Sequence, residues 1–200
     1  RLSGVPLSTM DRRTFLKRSG LVAGAGAFAS QIPYGAIGKA DAAADTAAKT
    51  AGSPAELAAA SDLVCLCVVG DDDVREVLYG ETGVLAGLAS GGIVAIHSTV
   101  HPDTCREIAE RAAAQGVSVI DAPVSGGAPA VEEGKLLVMV GGDEDVIERC
   151  RPVFATYADP IVHLGPLGSG QVTKILNNLL FTANLGSALS TLDLGESLGI

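Results

Sequence analysis

From about residue 47 onward, short and uniformly apolar runs alternate with helical periodicities, and this alternation restricts the chain to few folds. Such runs have the length and composition of strands buried on both faces. They lie at residues 62–69, 93–97, 117–121, 136–140 and 161–164. Strands separated by helices connect through right-handed crossovers, so the pattern predicts an α/β fold with a mainly parallel sheet and helices on both faces.

Helix starts support the same fold. Ser53, Pro54 and Glu56 stand in the order of a capping box and predict the start of a short helix. Further helices are predicted over residues 71–78, 102–115 and about 143–157. The aspartates at 71–73 suit the positive end of a helix dipole. They are also hard ligands for a divalent cation, but no second ligand cluster follows, which favours helix capping.

Composition limits the classes of partner. The net charge is −9, and no stretch after residue 18 is strongly basic, so the chain has no footprint for a nucleic-acid backbone. The four cysteines, Cys65, Cys67, Cys105 and Cys150, include no C-x-x-C pair and no neighbouring histidine at zinc spacing. We therefore expect buried thiols and no metal site.

The N-terminal region has the pattern of an export signal. Arg12 and Arg13 precede an uncharged run over residues 19–38, and an A-x-A pattern follows at 40–42. This predicts a twin-arginine signal over residues 1–42, outside the fold, and a mature chain that begins near Ala43. The run is only moderately apolar, so no stable membrane span is expected. Export is the expectation for the chain as written, with a cytoplasmic location as the alternative.

A second interpretation of the same region is a dinucleotide fingerprint. Residues 24–29 read Gly-Ala-Gly-Ala-Phe-Ala, which fits G-x-G-x-x-A, and Asp45 follows at about the required distance. A fingerprint needs a hydrophobic strand that leads into the glycine turn. Because basic residues at 12, 13, 17 and 18 precede this motif, the sequence disfavours that interpretation.

Three loops follow predicted strands and should meet at the carboxyl edge of the sheet, where open α/β sheets bind ligands. They lie at residues 69–73, 97–99 and 121–127. Each is also compatible with ordinary helix capping. The third is the most specific, because Ser125, Gly126 and Gly127 offer a hydroxyl and unhindered backbone N–H groups that can hold a small carboxylate.

A glycine-rich turn opens a long helix near the C-terminus. Glycines at 165, 168 and 170 lead into a helical period that continues from Gln171 to Leu198. Lys174 and Asn178 are four residues apart and share one face of that helix. The residue types suit a substrate site. A solvated lysine beside two asparagines explains the spacing equally well.

The residues Asp121-Ala-Pro-Val-Ser-Gly-Gly127, followed by Gly165-x-x-Gly-x-Gly-x-x-x-Lys174-x-x-Asn177-Asn178, resemble the β-hydroxyacid dehydrogenase family, typified by 3-hydroxyisobutyrate dehydrogenase. The resemblance runs from about Ala47 to Ile200. It implies a partial Rossmann-like dinucleotide-binding domain over residues 43–165 and the first long helix of an all-α domain over 166–200. It also implies NAD or NADP as cofactor, a small hydroxyacid as substrate, and a homo-oligomer formed through the helical domain.

The resemblance assigns roles to individual residues. Lys174 would be the general acid/base, and Asn178 would orient the substrate. Ser125, Gly126 and Gly127 would bind the substrate carboxylate. The cofactor would contact the two loops that contain Val68, Val69, Ser98 and Thr99.

The chain also departs from the family pattern. Family members begin with a strand and a G-x-G-x-x-G turn, where this sequence has the signal-like segment, and their helical domain continues beyond residue 200. A fragment or a fusion is therefore expected. One alternative is a non-catalytic exported module that binds a small carboxylate through residues 125–127. Another is a decarboxylating reaction like that of 6-phosphogluconate dehydrogenase. It is disfavoured because Lys135 is the only basic residue over 121–136.

Overall fold

A computed structural model describes residues 19–23 and 51–200 of the chain. The strands of this part are β1 (Ser19–Ala23), β2 (Leu63–Cys67), β3 (Ile93–Ile96), β4 (Ser118–Asp121), β5 (Val124–Ser125), β6 (Leu136–Val140) and β7 (Ala158–His163). The helices are α1 (Pro54–Ala59), α2 (Asp71–Leu78), α3 (Val84–Gly87), α4 (Pro102–Ala113), α5 (Gly127–Glu133), α6 (Glu144–Phe154) and α7 (Ser169–Ser197).

The strands form two sheets that are joined at one point. Strands β1, β2, β3 and β4 pair in that order, and all three pairings are parallel. Strands β5, β6 and β7 form the second sheet, with β5 antiparallel and β7 parallel to β6. An antiparallel bridge between Asp121 and Gly141 connects the two. The mainly parallel α/β sheet is therefore confirmed, and the antiparallel β5 is an addition to it.

Both faces of the sheet are covered, as predicted. Successive side chains of a strand point to opposite faces, and β2 shows this directly. Val64 and Leu66 pack into one apolar cluster, with side chains of α2 and α4, whereas Leu63 and Cys65 pack into a second cluster with α6. Each fully buried aliphatic side chain of this kind contributes about 1.5–3 kcal/mol to folding.

The cysteines lie within this core, as expected. Cys65, Cys105 and Cys150 are buried, Cys67 is half-buried, and all four are free thiols. Burial raises the pKa of Cys105 and of Cys150 to about 12, which keeps both thiols protonated. Within residues 19–23 and 51–200, no cluster of three or more potential metal ligands occurs.

Strand β1 lies in the segment that the sequence places outside the fold. Ser19 to Ala23 pair in parallel with Leu63 to Cys67 along one edge of β2. This pairing satisfies backbone N–H and C=O groups that an edge strand leaves open. The strand ends immediately before Gly24, so the chain has the strand that the dinucleotide fingerprint requires. The twin-arginine pair, the A-x-A pattern, the glycine motif itself and Asp45 lie outside the described residues.

Most element bounds agree with the sequence prediction, and the differences concern short elements. Helix α2 and strand β6 begin and end where predicted, and α7 begins two residues before Gln171. The elements that the sequence did not predict are β1, α3, β5 and α5. The last three are too short to establish a periodicity. In the described part of the chain, no helix is long and apolar enough to cross a membrane.

Candidate functional site

Three loops meet at the carboxyl edge of the parallel sheet. The register aligns Leu66 of β2 with Ile96 of β3, and Ile96 with Asp121 of β4, so the chain leaves all three strands at the same edge. The antiparallel bridge from Asp121 to Gly141 interrupts the parallel order at this edge. Open α/β sheets bind ligands outside the carboxyl ends of their strands, which is this edge.

The first two loops hold each other in place. The Val68 amide donates to Ser98 Oγ across 2.8 Å, and both residues are buried. Val69 is 56% exposed and Thr99 is exposed as well. Of the four residues predicted to bind the cofactor, Val69 and Thr99 therefore have exposed side chains at the carboxyl edge of the sheet. Val68 and Ser98 form the support beneath them.

The aspartates that open α2 act as caps and tethers, as the sequence favoured. Asp73 Oδ2 accepts from the Gly70 amide at 3.0 Å. Asp71 Oδ1 accepts from the His101 amide at 2.9 Å, which ties α2 to the loop before α4. Asp72 pairs with Arg75 at 3.3 Å. All three carboxylates thus have protein partners.

The third loop bends sharply after β5. Gly126 has φ +129° and Gly127 has φ +65°, and both are exposed. A Cβ atom on Gly126 would lie 2.5 Å from Ala130 Cβ, so both backbone conformation and space require glycine there. Ser125 is half-buried at the start of the bend. The bend therefore exposes backbone next to a hydroxyl, as a carboxylate site requires.

A buried carboxylate fastens α7 to the sheet. Asp121 is fully buried, and it accepts from the Gly168 amide at 2.6 Å and from the Gln171 amide at 2.7 Å. Burial raises the pKa of Asp121, while these amides act in the opposite direction. Gly168 has φ +97°, and a Cβ on Gly170 would lie 2.3 Å from Met139 O. The glycine turn thus lets the helix approach the sheet closely.

Gln171 connects the same helix to the second loop. Its side chain is fully buried, Nε2 donates to Ser98 O at 2.7 Å, and Oε1 accepts from the Val100 amide at 3.1 Å. The sequence analysis assigned no role to Gln171 or to the Asp121 side chain. The available signal was a polar side chain in a buried setting: an aspartate at the end of an apolar strand, and a glutamine directly after the glycines.

Lys174 lies on the next turn of α7. Its side chain is half-buried, and burial lowers the pKa of its amine. Among the described residues the amine has no hydrogen bond and no ion pair. A lowered pKa makes the neutral amine more accessible than in an exposed lysine, which suits proton transfer.

The third loop contacts α7 through Asn177. Asn177 Nδ2 donates to Ser125 Oγ at 3.4 Å and lies 3.5 Å from Asn178 Oδ1. Lys174, Asn177 and Asn178 fall within one turn of the helix and share a face. The structure therefore brings Ser125 to the helical face that carries Lys174, and the residue in contact with Ser125 is Asn177.

Below the loops lies a buried histidine. His97 Nδ1 donates to Ala122 O, at the base of the third loop, and Tyr157 Oη donates to His97 Nε2 at 3.0 Å. A carbonyl only accepts, so the ring proton is placed on Nδ1. Burial lowers the pKa of His97 and keeps the ring neutral. This histidine links the ends of β3 and β4.

The crevice has the features that a dinucleotide and a small acid need. Exposed Val69 and Thr99 follow the neighbouring strands β2 and β3. The glycine bend comes after β4, and Asn177 joins its Ser125 to the helix that carries Lys174. Groups of the types that can bind a carboxylate and an amine that can exchange a proton are thus brought to one edge. This arrangement fits hydride transfer with a bound nicotinamide cofactor.

Comparison with known proteins agrees with this geometry. A family model described as the NAD binding domain of 6-phosphogluconate dehydrogenase matches residues 36–165. The 2-(hydroxymethyl)glutarate dehydrogenase of Eubacterium barkeri is 37% identical over 145 residues, which cover 72% of this chain and 48% of that protein. The chain spans about half the length of the curated relatives it matches.

Solved structures with a similar fold are also oxidoreductases. A putative oxidoreductase from Mycobacterium avium 104 superposes with a TM-score of 0.79 at 33% identity, covering 92% of this chain and 69% of that one. The 3-hydroxyisobutyrate dehydrogenase of Mycobacterium tuberculosis with L-serine gives 0.72 at 28% identity, covering 91% and 66%. The chain therefore belongs to the β-hydroxyacid dehydrogenase family, through an NAD-binding domain of the 6-phosphogluconate dehydrogenase type.

Proposed function

We propose that the protein is an oxidoreductase of the 3-hydroxyisobutyrate dehydrogenase type, which transfers hydride between NAD or NADP and a small β-hydroxyacid. The observation that carries this proposal is the placement of Lys174. Its half-buried amine lies one helical turn from Asn177, which contacts Ser125 of the glycine bend. The family match supports the cofactor.

Different residues of this chain transfer the proton, bind the carboxylate and orient the substrate. Lys174 takes the proton of the substrate hydroxyl during oxidation, and its lowered pKa makes the neutral amine accessible. Ser125, Gly126 and Gly127 bind the substrate carboxylate, and Asn178 orients the substrate beside the lysine. The nicotinamide, when bound, supplies the acceptor for the hydride that leaves the carbinol carbon.

The cofactor is assigned to the first two loops. Val69 and Thr99 contact it from the ends of β2 and β3, and Val68 and Ser98 hold those loops through the 2.8 Å bond from the Val68 amide. Strand β1 adds a third element, because it ends directly before the G-x-G-x-x-A sequence at residues 24–29. Glycines after a parallel strand are the residue types that bind a pyrophosphate.

Residues 10–42 thus have two competing roles. Export with cleavage near Ala43 would remove β1 from the sheet, whereas nucleotide binding requires β1 and the glycines to stay. Gly26→Val separates the two, because a nucleotide-binding glycine does not tolerate the larger side chain. Cofactor affinity should fall in this variant if the glycines bind the pyrophosphate. The intact mass of the protein recovered from its source cells shows whether the segment is retained.

The primary test is a titration with NADH and NADPH, followed by nicotinamide fluorescence. Saturable binding is expected, and its absence would remove the dehydrogenase assignment. Lys174→Ala is then expected to retain cofactor binding and to lose turnover by about 10²–10⁴-fold. Lys135→Ala is the matched control, because Lys135 is exposed and pairs with Glu133 at 2.8 Å. Near-full turnover in Lys174→Ala would exclude Lys174 as the base.

Two alternatives remain distinguishable by experiment. One alternative is a module that binds a small carboxylate through residues 125–127 without turnover. Such a module would bind a hydroxyacid but show no cofactor saturation. The second alternative is the decarboxylating reaction, and the matched family model is described by an enzyme of that kind. It predicts release of CO₂ from 6-phosphogluconate. It is disfavoured because a phosphosugar needs cationic groups, and Lys135 is the only basic residue over 121–136.

We also propose that the protein forms a homo-oligomer through α7. This helix exposes large apolar side chains along its length, an arrangement typical of an interaction surface. They are Val172, Ile175, Leu176, Leu179, Leu180, Phe181, Leu185, Leu189, Leu192 and Leu194. Sedimentation at several protein concentrations tests this, and a concentration-independent monomer would overturn it.

A further inference from the structure

Gln171 occupies a position between the two halves of the proposed site. Its side chain bonds to the backbone on both sides of Thr99, to Ser98 O at 2.7 Å and to the Val100 amide at 3.1 Å. The backbone N–H of Gln171 donates to Asp121 Oδ2 at 2.7 Å. Lys174 is three residues further along the same helix. Gln171 therefore contacts loop 98–100, proposed to hold the cofactor, and belongs to the helix that carries the proposed base.

The chemistry of this contact requires a primary amide. The Ser98 carbonyl needs a donor and the Val100 N–H needs an acceptor, and the Gln171 side chain supplies both from one planar group. A carboxylate supplies only the acceptor, and a thioether of the same length supplies no adequate donor. Because the side chain is fully buried, water does not replace the missing partner.

The contact also differs from ordinary core packing. Loop 98–100 has no other side-chain bond to α7 among the described residues. A shift of this loop relative to α7 would change the separation between Thr99 and Lys174. In a site that aligns a hydride acceptor with a proton acceptor, a displacement of about 1 Å costs up to about 10²-fold in rate.

We propose that Gln171 is a positioning residue that couples the cofactor loop 98–100 to the helix of Lys174, and thereby sets the distance between bound nicotinamide and the lysine amine. This inference rests on the proposed function. It assigns to Gln171 a role in the rate of hydride transfer, whereas recognition of the hydroxyacid stays with residues 125–127, which Gln171 does not touch.

The test compares Gln171→Met with wild type in the full chain, using steady-state kinetics with NADH or NADPH. We expect kcat to fall about 10–100-fold while the KM for the hydroxyacid changes less than about threefold. Gln115→Met is the matched control, because Gln115 is exposed at the end of α4, and it should retain wild-type kcat. Equal loss of kcat in the control would overturn the proposal.

Gln171→Glu provides a second variant with a readout that a purely structural role would not move. A protonated carboxyl supplies both a donor and an acceptor, and burial favours that protonated form. Activity relative to wild type should therefore be near one at low pH and fall at least tenfold as the introduced carboxyl ionises. This variant also serves if Gln171→Met does not fold, because it retains the bonding pattern in acid.

The outcomes separate the two proposals. A wild-type protein that binds no cofactor and shows no turnover overturns the proposed function, and the coupling with it. An active wild type that is matched by Gln171→Met in kcat, or by Gln171→Glu across the whole pH range, overturns the coupling alone. A fall in kcat that is fully accounted for by a smaller folded fraction, measured by circular dichroism under the assay conditions, would assign Gln171 to general stability and would also overturn the coupling.

Discussion

Asn177 donates from Nδ2 to Ser125 Oγ across 3.4 Å, and this contact joins the long helix to the glycine bend. The two residues lie far apart in the sequence, in the two motifs that carry the family resemblance. The contact places the bend beside the helical face of Lys174. The proposed chemistry depends on that proximity, so the contact itself should be measurable in the kinetics.

A double-mutant cycle of Ser125→Ala and Asn177→Ala measures the coupling between these two side chains. Each single variant should raise the KM for the hydroxyacid, and the pair should show a coupling of about 0.5–1 kcal/mol, as neutral hydrogen bonds do. Asn178→Ala with Ser125→Ala is the matched cycle, because Asn178 does not contact Ser125 in the structure. Additive effects in the first cycle, or equal coupling in both, would contradict the observed contact.

The pH dependence of oxidation should report on Lys174. Burial disfavours the ammonium, so the pKa of Lys174 lies below that of an exposed lysine, and the neutral base forms at lower pH. The rate of hydroxyacid oxidation should therefore rise with pH and level off below the usual lysine range. Reduction needs the ammonium as proton donor, so its rate should fall through the same pKa.

The matched variant is Lys174→Arg. It keeps a long cationic side chain, but a guanidinium does not lose its proton in this range. Oxidation should lose about 10²–10⁴-fold in rate, together with the rising limb of the pH profile. A rising limb that persists unchanged in Lys174→Arg would show that another group titrates.

Local and long-range features differ in how far the sequence predicts them. The bounds of α2 follow from Asp71 and its neighbours at the helix dipole, and β6 follows from an uninterrupted apolar run. The bonds of Asp121 and Gln171 join loops that are distant in sequence, so no local pattern indicates them. Strand β1 was obscured because nearby arginines dominate the composition of its segment, whereas its pairing with β2 depends on tertiary structure.

In the candidate site, too, the sequence predicts the local features and misses the long-range contacts. Residue types and spacing pointed to the Ser125–Gly127 bend and to Lys174, because each chemistry needs those groups. The choice between Asn177 and Asn178 depends on the angle at which α7 meets the bend. That angle is set by Asp121, Gly168 and Gly170 through contacts that periodicity does not encode.

Glycine substitutions in the bend should differ in cost. Gly127→Ala places a Cβ in the left-handed region without a close neighbour, which costs about 1–2 kcal/mol of unfolding free energy. Gly126→Ala adds the 2.5 Å approach to Ala130 Cβ and should cost more. Urea unfolding measures both, and the KM for the hydroxyacid should rise in the same order.

Gly186→Ala is the control for these two variants. Gly186 lies within α7 with no atom within 4 Å of the added Cβ, so alanine should stabilise the helix by about 0.5–1 kcal/mol. Opposite signs for Gly186 and the bend glycines would show that the effect depends on backbone conformation. A neutral Gly126→Ala would contradict the geometry of the bend.

Stability in acid should depend on His97. Burial lowers the pKa of the folded-state ring, whereas the unfolded chain binds a proton near the ordinary value of about 6.5. Between these two values the unfolded state holds more protons, so stability falls as the pH decreases below about 6.5 and recovers above it. The slope approaches about 1.4 kcal/mol per pH unit for one proton.

His97→Asn tests this origin of the slope. An asparagine amide still offers a donor toward Ala122 O but does not titrate, and it gives up the acceptor for Tyr157 Oη. We expect a loss of about 1–3 kcal/mol near neutral pH and a shallower dependence between pH 5 and 7. His101→Asn, which removes an exposed histidine, controls for the loss of an imidazole. Carboxylates titrate equally in all three proteins, so their contribution cancels in the comparison. Parallel stability curves for wild type and His97→Asn would show that the buried ring does not limit acid stability.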